Sequence, residues 1–285
     1  MNDSLPLFAA PFAACLILTV IHCYLGLHVV ARGVIFVDLA LAQVAALGGA
    51  VGMLAGYDLH GAAGYLFSLG FALLGATLFA LARFRDERVP QEAIIGITYA
   101  VTSAAAILIL DRAPHGSEEI KTMLLGNILF TDWSTVWNTL WIYLGVALLH
   151  FLCRRRFFGI TLDIAQARRN GWHIWFWDLL FYASFGLVVT SSVHIAGVLL
   201  VFTYLVVPAV CAVLFVDRLG GRLILGWFLG LLGSAGGLYL SFARDLPTGA
   251  SIVTMFGLLT LASVVIHGLR LKFRGRRQTP SLPGY

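Results

Sequence analysis

Long apolar blocks are the sequence feature that most restricts how this chain can fold. Nine blocks, most of them close to 20 residues long, alternate with polar stretches along the 285 residues. A helix of about 20 apolar residues spans the roughly 30 Å hydrocarbon core of a bilayer. The strands of a membrane β-barrel instead alternate in polarity over about ten residues, which these blocks do not do. The sequence therefore predicts an all-α, polytopic bundle of transmembrane helices.

Composition excludes the main classes of water-soluble protein. Hydrophobic residues make up 60% of the chain and charged residues 12%, whereas a soluble domain has about 45–50% and about 25%. A soluble enzyme and a nucleic-acid-binding protein are therefore excluded. The four cysteines lie in or beside apolar blocks without a C-x-x-C pair, which favours buried thiols. Because no basic residues precede the first apolar block, we expect a retained span rather than a cleaved signal peptide.

The polar stretches between the apolar blocks define the predicted spans. The predicted spans are 6–30, 34–57, 61–82, 93–110, 134–152, 174–193, 197–216, 223–243 and 252–270. Only Val193-His-Ile-Ala196 separates the sixth span from the seventh, so this pair is either a hairpin or a broken helix. Eight spans with a re-entrant segment is therefore the alternative to nine spans.

The distribution of basic residues favours nine spans. With the C-terminus in the cytoplasm, nine crossings place 16 of the 19 lysines and arginines on the cytoplasmic side and 3 on the outer side. Cytoplasmic loops carry such an excess of Lys and Arg, and one missing helix would reverse every loop upstream of it. We therefore predict an outer N-terminus, one transmembrane domain over residues 1–270 and a basic cytoplasmic tail over 271–285.

A short helix is predicted in the longest cytoplasmic connection, over about 162–172. Asp163 suits the N-cap, Arg168 and Arg169 suit the last turn, and Gly171 suits the position after the C-cap. A helix of about two turns is too short to be stable alone. It is either a surface connector or a docking element for a cytoplasmic partner.

Polar residues inside the predicted spans mark candidate functional positions. An ionisable group at mid-membrane costs about 2.5–3.5 kcal/mol on insertion scales. Asp38, with Gln43 five residues later, either bonds a neighbouring helix or lines a gate. Asp178, after an aromatic run, is interpreted as a carboxylate at the interface that pairs with a cytoplasmic arginine. His194 at an outer turn is a candidate metal ligand, since imidazole and carboxylate bind zinc, manganese and iron.

Enzymatic motifs are missing from the sequence. There is no Gly-Lys dipeptide, so the P-loop of a Walker-type ATPase is absent. No G-x-S-x-G elbow and no H-E-x-x-H pair occurs either. The chain is therefore predicted to be a conduit without catalytic chemistry of its own.

Several segments, taken in order, are similar to those of one family. The segments are 36–49 (FVDLALAQVAALGG), 92–100 (EAIIGITYA), 124–129 (LLGNIL), 163–171 (DIAQARRNG), 196–209 (AGVLLVFTYLVVPA) and 245–249 (DLPTG). The likeness as a whole runs from about residue 12 to residue 268, and these segments follow the family's order. The chain thus resembles the permease subunits of metal-ion ABC importers, which take up zinc, manganese or iron chelates.

This resemblance implies a function and a set of partners. The chain would be the permease of an importer for a divalent transition metal, working by alternating access. A separate cytoplasmic ATPase would use the ATP, and an extracytoplasmic metal-binding protein would deliver the metal. The chain itself would bind no cofactor and would form a homodimer or a pair with a second permease. Its location would be the bacterial cytoplasmic (inner) membrane.

The resemblance also assigns roles to individual residues. Residues 163–171 would be the coupling helix that docks on the ATPase. The residues assigned to coupling are Asp163, Ala165, Ala167 and Gly171, and those assigned to the binding-protein face are His115, Glu118, Glu119 and Asp245.

The second span departs from the family pattern. Family members commonly carry Ser-His where this chain has Ala42-Gln43, and their acidic residue is shifted by about one position from Asp38. Glutamine is a poorer ligand for transition metals than imidazole. Asp38 and Gln43 are assigned to the substrate path or gate, Asp38 and His194 are the candidate metal ligands, and zinc, manganese and iron all stay open.

Two other functions are compatible with the residues. A proton-coupled secondary cation carrier would use Asp38 and Asp178 as titrating groups, although no convincing inverted repeat supports it. An intramembrane hydrolase would use Ser234 and His267.

Overall fold

The protein is a bundle of helices. The computed structural model describes residues 5–58, 61–83, 89–111 and 122–276, and this part contains no strand. The α-helices bounded within it are α1 (Leu5–Arg32), α2 (Val37–Leu54), α3 (Ala62–Leu81), α4 (Gln91–Leu110), α5 (Trp133–Leu152), α6 (Arg154–Leu162), α7 (Ile164–Arg169), α8 (Ile174–Phe215), α9 (Leu219–Arg244) and α10 (Thr248–Arg276). Residues 122–125 are also helical, and a 3₁₀ turn follows at Ile128–Phe130. The all-α prediction is confirmed.

Eight of these helices are long and apolar enough to cross a bilayer. Seven of them correspond one to one to predicted spans, whereas α8 covers both 174–193 and 197–216. A straight helix of 42 residues would be about 63 Å long, twice the thickness of the hydrocarbon core. Gly197 interrupts α8 with φ 74° and ψ 162°, a conformation that is essentially restricted to glycine. α8 therefore consists of two arms.

The first arm of α8, residues 174–196, runs antiparallel to α1. Asp178 near its start bonds Arg32 at the end of α1. Ser192 near its end bonds His22, ten residues earlier in α1.

The second arm, residues 198–215, runs in the same direction as α1. Cys15 hydrogen-bonds Tyr204, and further along both helices Gly26 packs against Leu205 and Ala209. The chain therefore reverses at Gly197. The eight long helices give nine passes, as the sequence predicts.

The two ends of the bundle are distinct, and we name them the α7 end and the loop end. The α7 end carries α6, α7, the ends of α1 and α3 and the start of α8, since Arg32 and Arg83 both bond Asp178. The loop end carries residues 122–130 and the turn between α9 and α10, where Gly249 packs against Leu125. The count of basic residues predicts that the α7 end is cytoplasmic.

Burial separates the inner helices from the outer ones. In the apolar window of α2, 72% of the residues are buried, whereas in that of α4 only 17% are. α4 packs chiefly on α2, so most of its surface is left for lipid or for another subunit. α10 remains helical to Arg276, six residues into the predicted tail, and residues 277–285 lie outside the described part.

Candidate functional site

α7 is the short helix that the sequence predicts between residues 163 and 171. It runs from Ile164 to Arg169. The carboxylate of Asp163 caps it by accepting a hydrogen bond from the backbone N–H of Gln166 at 2.8 Å. The predicted N-cap is confirmed.

The C-terminus of α7 ends in a Schellman motif. The N–H of Gly171 donates to the carbonyl of Arg168 at 3.0 Å, and the N–H of Trp172 donates to the carbonyl of Ala167 at 3.1 Å. Gly171 has φ +70°, and a Cβ added there would meet no atom within 4 Å. The glycine is therefore needed for its backbone conformation and not for space, and the predicted stop is confirmed.

α7 is mounted on α6 through an aromatic contact. The ring of Trp172 lies over Gly159 of α6, where a Cβ would meet that ring at 2.7 Å. The guanidinium of Arg156 stacks on Trp172 at 4.2 Å, and Ala167 is buried. The exposed residues of α7 include Ala165, Gln166 and Arg168. The helix therefore presents a polar face away from the bundle.

A buried cluster of charged side chains lies at the start of α8, beside the contact between α7 and α6. Asp178 accepts hydrogen bonds from Arg32 at 2.8 Å and from Arg83 at 2.9 and 2.8 Å. The side chain of Asp178 is 0% exposed, that of Arg32 1% and that of Arg83 16%. The interpretation of Asp178 as a carboxylate paired with an arginine is confirmed, with two arginines in place of one.

A row of buried histidines continues from this cluster along α1 and α5. The hydroxyl of Thr161 in α6 bonds both Arg32 Nε and His28 Nδ1 at 2.9 Å. Deeper in the bundle, the histidine bonds are His150 to Tyr24 and Ser184, and His22 to Ser192, which also bonds Tyr143. Sequence reasoning did not reveal this network of His22, His28 and His150. Their occurrence inside two long apolar blocks, 6–30 and 134–152, was the available signal.

Asp38 and Gln43 do not share a face of α2. Residues five apart project about 140° from each other around a helix of 3.6 residues per turn. Asp38 is 2% exposed and its Oδ1 has no hydrogen-bond partner. Close by, Glu92 of α4 accepts the backbone N–H of Phe36 at 3.1 Å. Both Asp38 and Glu92 therefore belong to the α7 end, and the assignment of Asp38 and Gln43 to a substrate path stays a prediction.

At the loop end, two glycines hold two segments together. Gly126 and Gly197 pack backbone to backbone, and a Cβ on either would overlap the other's main chain. The N–H of Asn127 donates to the carbonyl of Ile195 at 3.2 Å. Segments 124–129 and 196–209, which the sequence analysis singled out separately, therefore interlock.

An open cavity of about 540 Å³ lies at the same end. Residues 122–130 and 246–249 line it. Asp245, which caps α9 with φ 52°, is exposed beside it. Asp245, which the resemblance assigns to the binding-protein face, thus lies beside this cavity, whereas His115, Glu118 and Glu119 lie outside the described residues.

The described ranges contain no cluster of potential metal ligands. No group of three or more His, Cys, Asp or Glu side chains there is placed to hold an ion. Asp38 lies at the α7 end, whereas His194 lies at the loop end, where its ring packs against Tyr65 at 5.6 Å between ring centroids. The two candidate ligands therefore do not form one site.

The sequence is similar to bacterial metal transport proteins. It is 28% identical over 253 residues to the manganese transport system membrane protein MntC of Halalkalibacterium halodurans, covering 86% of this chain and 87% of that protein. It is 29% identical over 225 residues to the chelated iron transport system membrane protein YfeC of Yersinia pestis, covering 77% and 75%.

The fold is shared with a solved structure, PsaBC from Streptococcus pneumoniae in complex with Fab. The TM-score is 0.77 at 21% sequence identity, and the match covers 92% of this chain and 93% of that chain. The family model described as the ABC 3 transport family matches residues 5–267, which include every helix from α1 to α9 and most of α10. The chain therefore belongs to the ABC 3 transport family.

Proposed function

We propose that this chain is the membrane-spanning permease subunit of an ATP-binding-cassette importer for a divalent transition metal. A separate cytoplasmic ATPase supplies the energy, and an extracytoplasmic protein delivers zinc, manganese or iron. The chain works as a homodimer in the bacterial cytoplasmic (inner) membrane, binds no cofactor and hydrolyses no ATP itself.

The observation that carries the proposal is α7. It is a two-turn helix, capped at both ends and seated on α6, and it exposes polar side chains at the end predicted to be cytoplasmic. A helix this short is not stable in isolation. Its mounting gives a rigid projection on which an ATPase can push.

The metal route is proposed from the loop end to the α7 end. The cavity between residues 122–130 and 246–249 receives metal from the binding protein, with Asp245 beside its rim. Asp38 acts at the inner gate, since its unpartnered carboxylate oxygen is buried at the α7 end. Gln43 projects from another face of α2, so it contributes to the route separately from Asp38.

Substitutions at Gly171 test the docking role of α7. Val at φ +70° is strained, whereas Asn tolerates this conformation, and a Cβ at this position meets no atom within 4 Å. We expect Gly171→Val to reduce co-purification of the ATPase subunit about tenfold, equivalent to about 1.4 kcal/mol. Gly171→Asn is the matched control and should retain the ATPase.

Two results would contradict the proposal. If no ABC ATPase accompanies the tagged wild-type chain, as judged by mass spectrometry, the importer assignment fails. If Gly171→Val retains the ATPase at the wild-type level, α7 is not the docking element.

Uptake into proteoliposomes separates the importer from a proton-coupled carrier. Vesicles with permease, ATPase and binding protein should accumulate Mn²⁺, Fe²⁺ or Zn²⁺ only with ATP, and a protonophore should leave uptake unchanged. Loss of uptake on collapsing the proton gradient would favour the carrier. The structure disfavours the carrier, because Asp178 is engaged by two arginines.

A further inference from the structure

We infer that Asp178, together with Arg32 and Arg83, transmits the movement of α7 to the membrane helices. We call these three residues the Asp178 link. They are positioning residues, since they act through the helices and touch neither metal nor nucleotide. This inference rests on the proposed function and adds to it the connection between α7 and the helices that must move.

The connection begins on α6. Trp172, just after α7, packs over Gly159, and Arg156 stacks on that tryptophan at 4.2 Å. Because these contacts hold the last turn of α7 to α6, a push on α7 moves α6 with it.

The second step joins α6 to α1. Thr161 lies two residues before Asp163, the N-cap of α7, and its hydroxyl accepts a hydrogen bond from Arg32 Nε at 2.9 Å. The Thr161 O–H is then free to donate to His28 Nδ1, also at 2.9 Å. Two side chains of α1 therefore hold the end of α6.

The third step joins α1 to α8 and α3. One nitrogen of Arg32 bonds Asp178 Oδ1, and one nitrogen of Arg83 bonds both carboxylate oxygens. The guanidinium of Arg32 also lies over the ring of Phe181 at 3.9 Å. A single carboxylate thus connects the end of α1, the chain just after α3 and the N-terminal part of α8.

Burial strengthens the hydrogen bonds of this connection and fixes their geometry. Charge-assisted hydrogen bonds are roughly twice as strong as neutral ones, and the cluster is shielded from water at Asp178 and Arg32. A buried ion pair adds little stability compared with apolar packing. Its benefit here is geometric, because it fixes three helices at one point next to α7.

Arg83→Gln is the variant that tests the link while preserving the fold. Two cations share one carboxylate, so removing Arg83 leaves Arg32 and Asp178 as a matched pair without an unpaired buried charge. Arg83 is also the most exposed member of the three, at 16%. The substitution therefore detaches α3 from α8 and α1 with little expected damage to folding.

The measurement uses the full complex of permease, ATPase and binding protein in proteoliposomes. The readout is metal transported per ATP hydrolysed, with Mn²⁺, Fe²⁺ and Zn²⁺ each as probe. We expect Arg83→Gln to lower this ratio about five- to tenfold without loss of ATPase co-purification. Arg83→Lys, which keeps the charge, should restore much of the ratio.

Arg222→Gln is the matched control. Arg222 lies near the α7 end on α9 and donates to the backbone carbonyl of Val216 at 2.7 Å, so its loss should leave the ratio unchanged.

Specific outcomes overturn the inference. A ratio for Arg83→Gln within twofold of wild type, or an equal fall in Arg222→Gln, would show that the Asp178 link does not transmit movement. A fall that Arg83→Lys does not rescue would also overturn it. Absence of an ATPase from the wild-type preparation would instead refute the proposed function, so the two failures are distinguishable.

Discussion

The two ends of the bundle are held together by different chemistry. At the α7 end, long charged side chains connect α1, α3 and α8 through Asp178, and Arg32 also bonds Thr161 of α6. At the loop end, glycine backbones touch directly, with Gly126 against Gly197 and Gly249 against Leu125. The arginine side chains can keep their bonds to Asp178 while the helices that carry them move together, whereas two main chains in direct contact leave no room for a relative shift. We therefore expect the loop end to be the rigid end of the subunit and the α7 end to be the movable one.

Gly197→Leu should lower the stability of the folded protein more than any other variant, because it disrupts the close backbone packing of the loop end. A leucine there is strained by φ +74° and overlaps the main chain of Gly126. We expect a loss on the order of 5 kcal/mol or more, which belongs to the exceptional class for one substitution. The measurement is the folded fraction in detergent, by fluorescence-detected size exclusion.

Gly96→Ala provides the control for a helical glycine in open space. Gly96 is an exposed residue of α4, and a Cβ there meets no atom within 4 Å. Alanine should stabilise the protein by up to about 1 kcal/mol. Equal damage from both variants would contradict the assignment of the loop end as rigid through close backbone contact.

Asp178→Ala, at the α7 end, should cause the next largest loss of stability. It leaves two guanidinium groups without their carboxylate, and one of them is almost fully buried. Removing one partner of a buried ion pair costs about 3–5 kcal/mol. The midpoint of thermal unfolding in detergent measures the loss.

Asp217→Ala is the control for Asp178→Ala, because it also removes one acidic side chain. Asp217 lies exposed between α8 and α9, so its removal should change the midpoint little. A similar drop in both variants would mean that the Asp178 effect reflects surface charge and not the buried cluster.

Tyr204→Phe probes the region between the two ends, where neutral hydrogen bonds join helices. The Tyr204 hydroxyl bonds Ser234 Oγ at 2.7 Å, and that serine also donates to the carbonyl of Gly230. The serine keeps its acceptor after the substitution, so the cost should be about 1 kcal/mol. Tyr239→Phe, at a position 74% exposed, should be neutral in the same unfolding assay.

The smallest change in stability is expected when Asp132 is altered. Asp132 is the N-cap of α5 and lies in the connection that follows residues 122–130. Hydrogen bonds donated by Thr135 and Ser134 hold the pKa of Asp132 at about 2, below its ordinary 3.8. The folded state therefore binds a proton more weakly than the unfolded chain. The stabilisation is complete above pH 3.8 and is lost as the pH falls through 2.

Thermal unfolding of Asp132→Asn against wild type between pH 7 and pH 2 tests this titration. Asparagine keeps a capping oxygen but does not titrate. The wild type should lose its advantage over this variant only below about pH 4. An advantage that disappears already between pH 7 and pH 5 would contradict the assignment.

Local features of the structure could be predicted from the sequence. The caps of α7 at Asp163 and Gly171 depend on residues within one helical turn, so their pattern is visible in the chain itself. The reversal between the sixth and seventh spans was predicted at residues 193–196, and the structure places it at Gly197. Only a glycine conformation makes a turn that short between two helical arms.

Contacts between distant residues could not be predicted. Asp178 lies 146 residues from Arg32 and 95 from Arg83, and no local pattern identifies which arginines reach it. Asp38 and Gln43 project from different faces of α2, because five residues do not complete a whole number of turns, and the sequence does not identify the helices that those two faces contact. The separation of Asp38 from His194 agrees with the predicted topology, in which the start of span 34–57 and the outer turn at His194 lie at opposite ends.

The buried position of Arg32 and Arg83 has a consequence for how the protein is made. Both arginines belong to the charge excess that predicts which loops stay in the cytoplasm during insertion. In the finished subunit they are withdrawn between helices and bound to Asp178. Two of the charges that are predicted to orient the nascent polypeptide thus serve as internal ion-pair partners in the folded subunit, so its surface displays less of that predicted topology signal than the sequence carries.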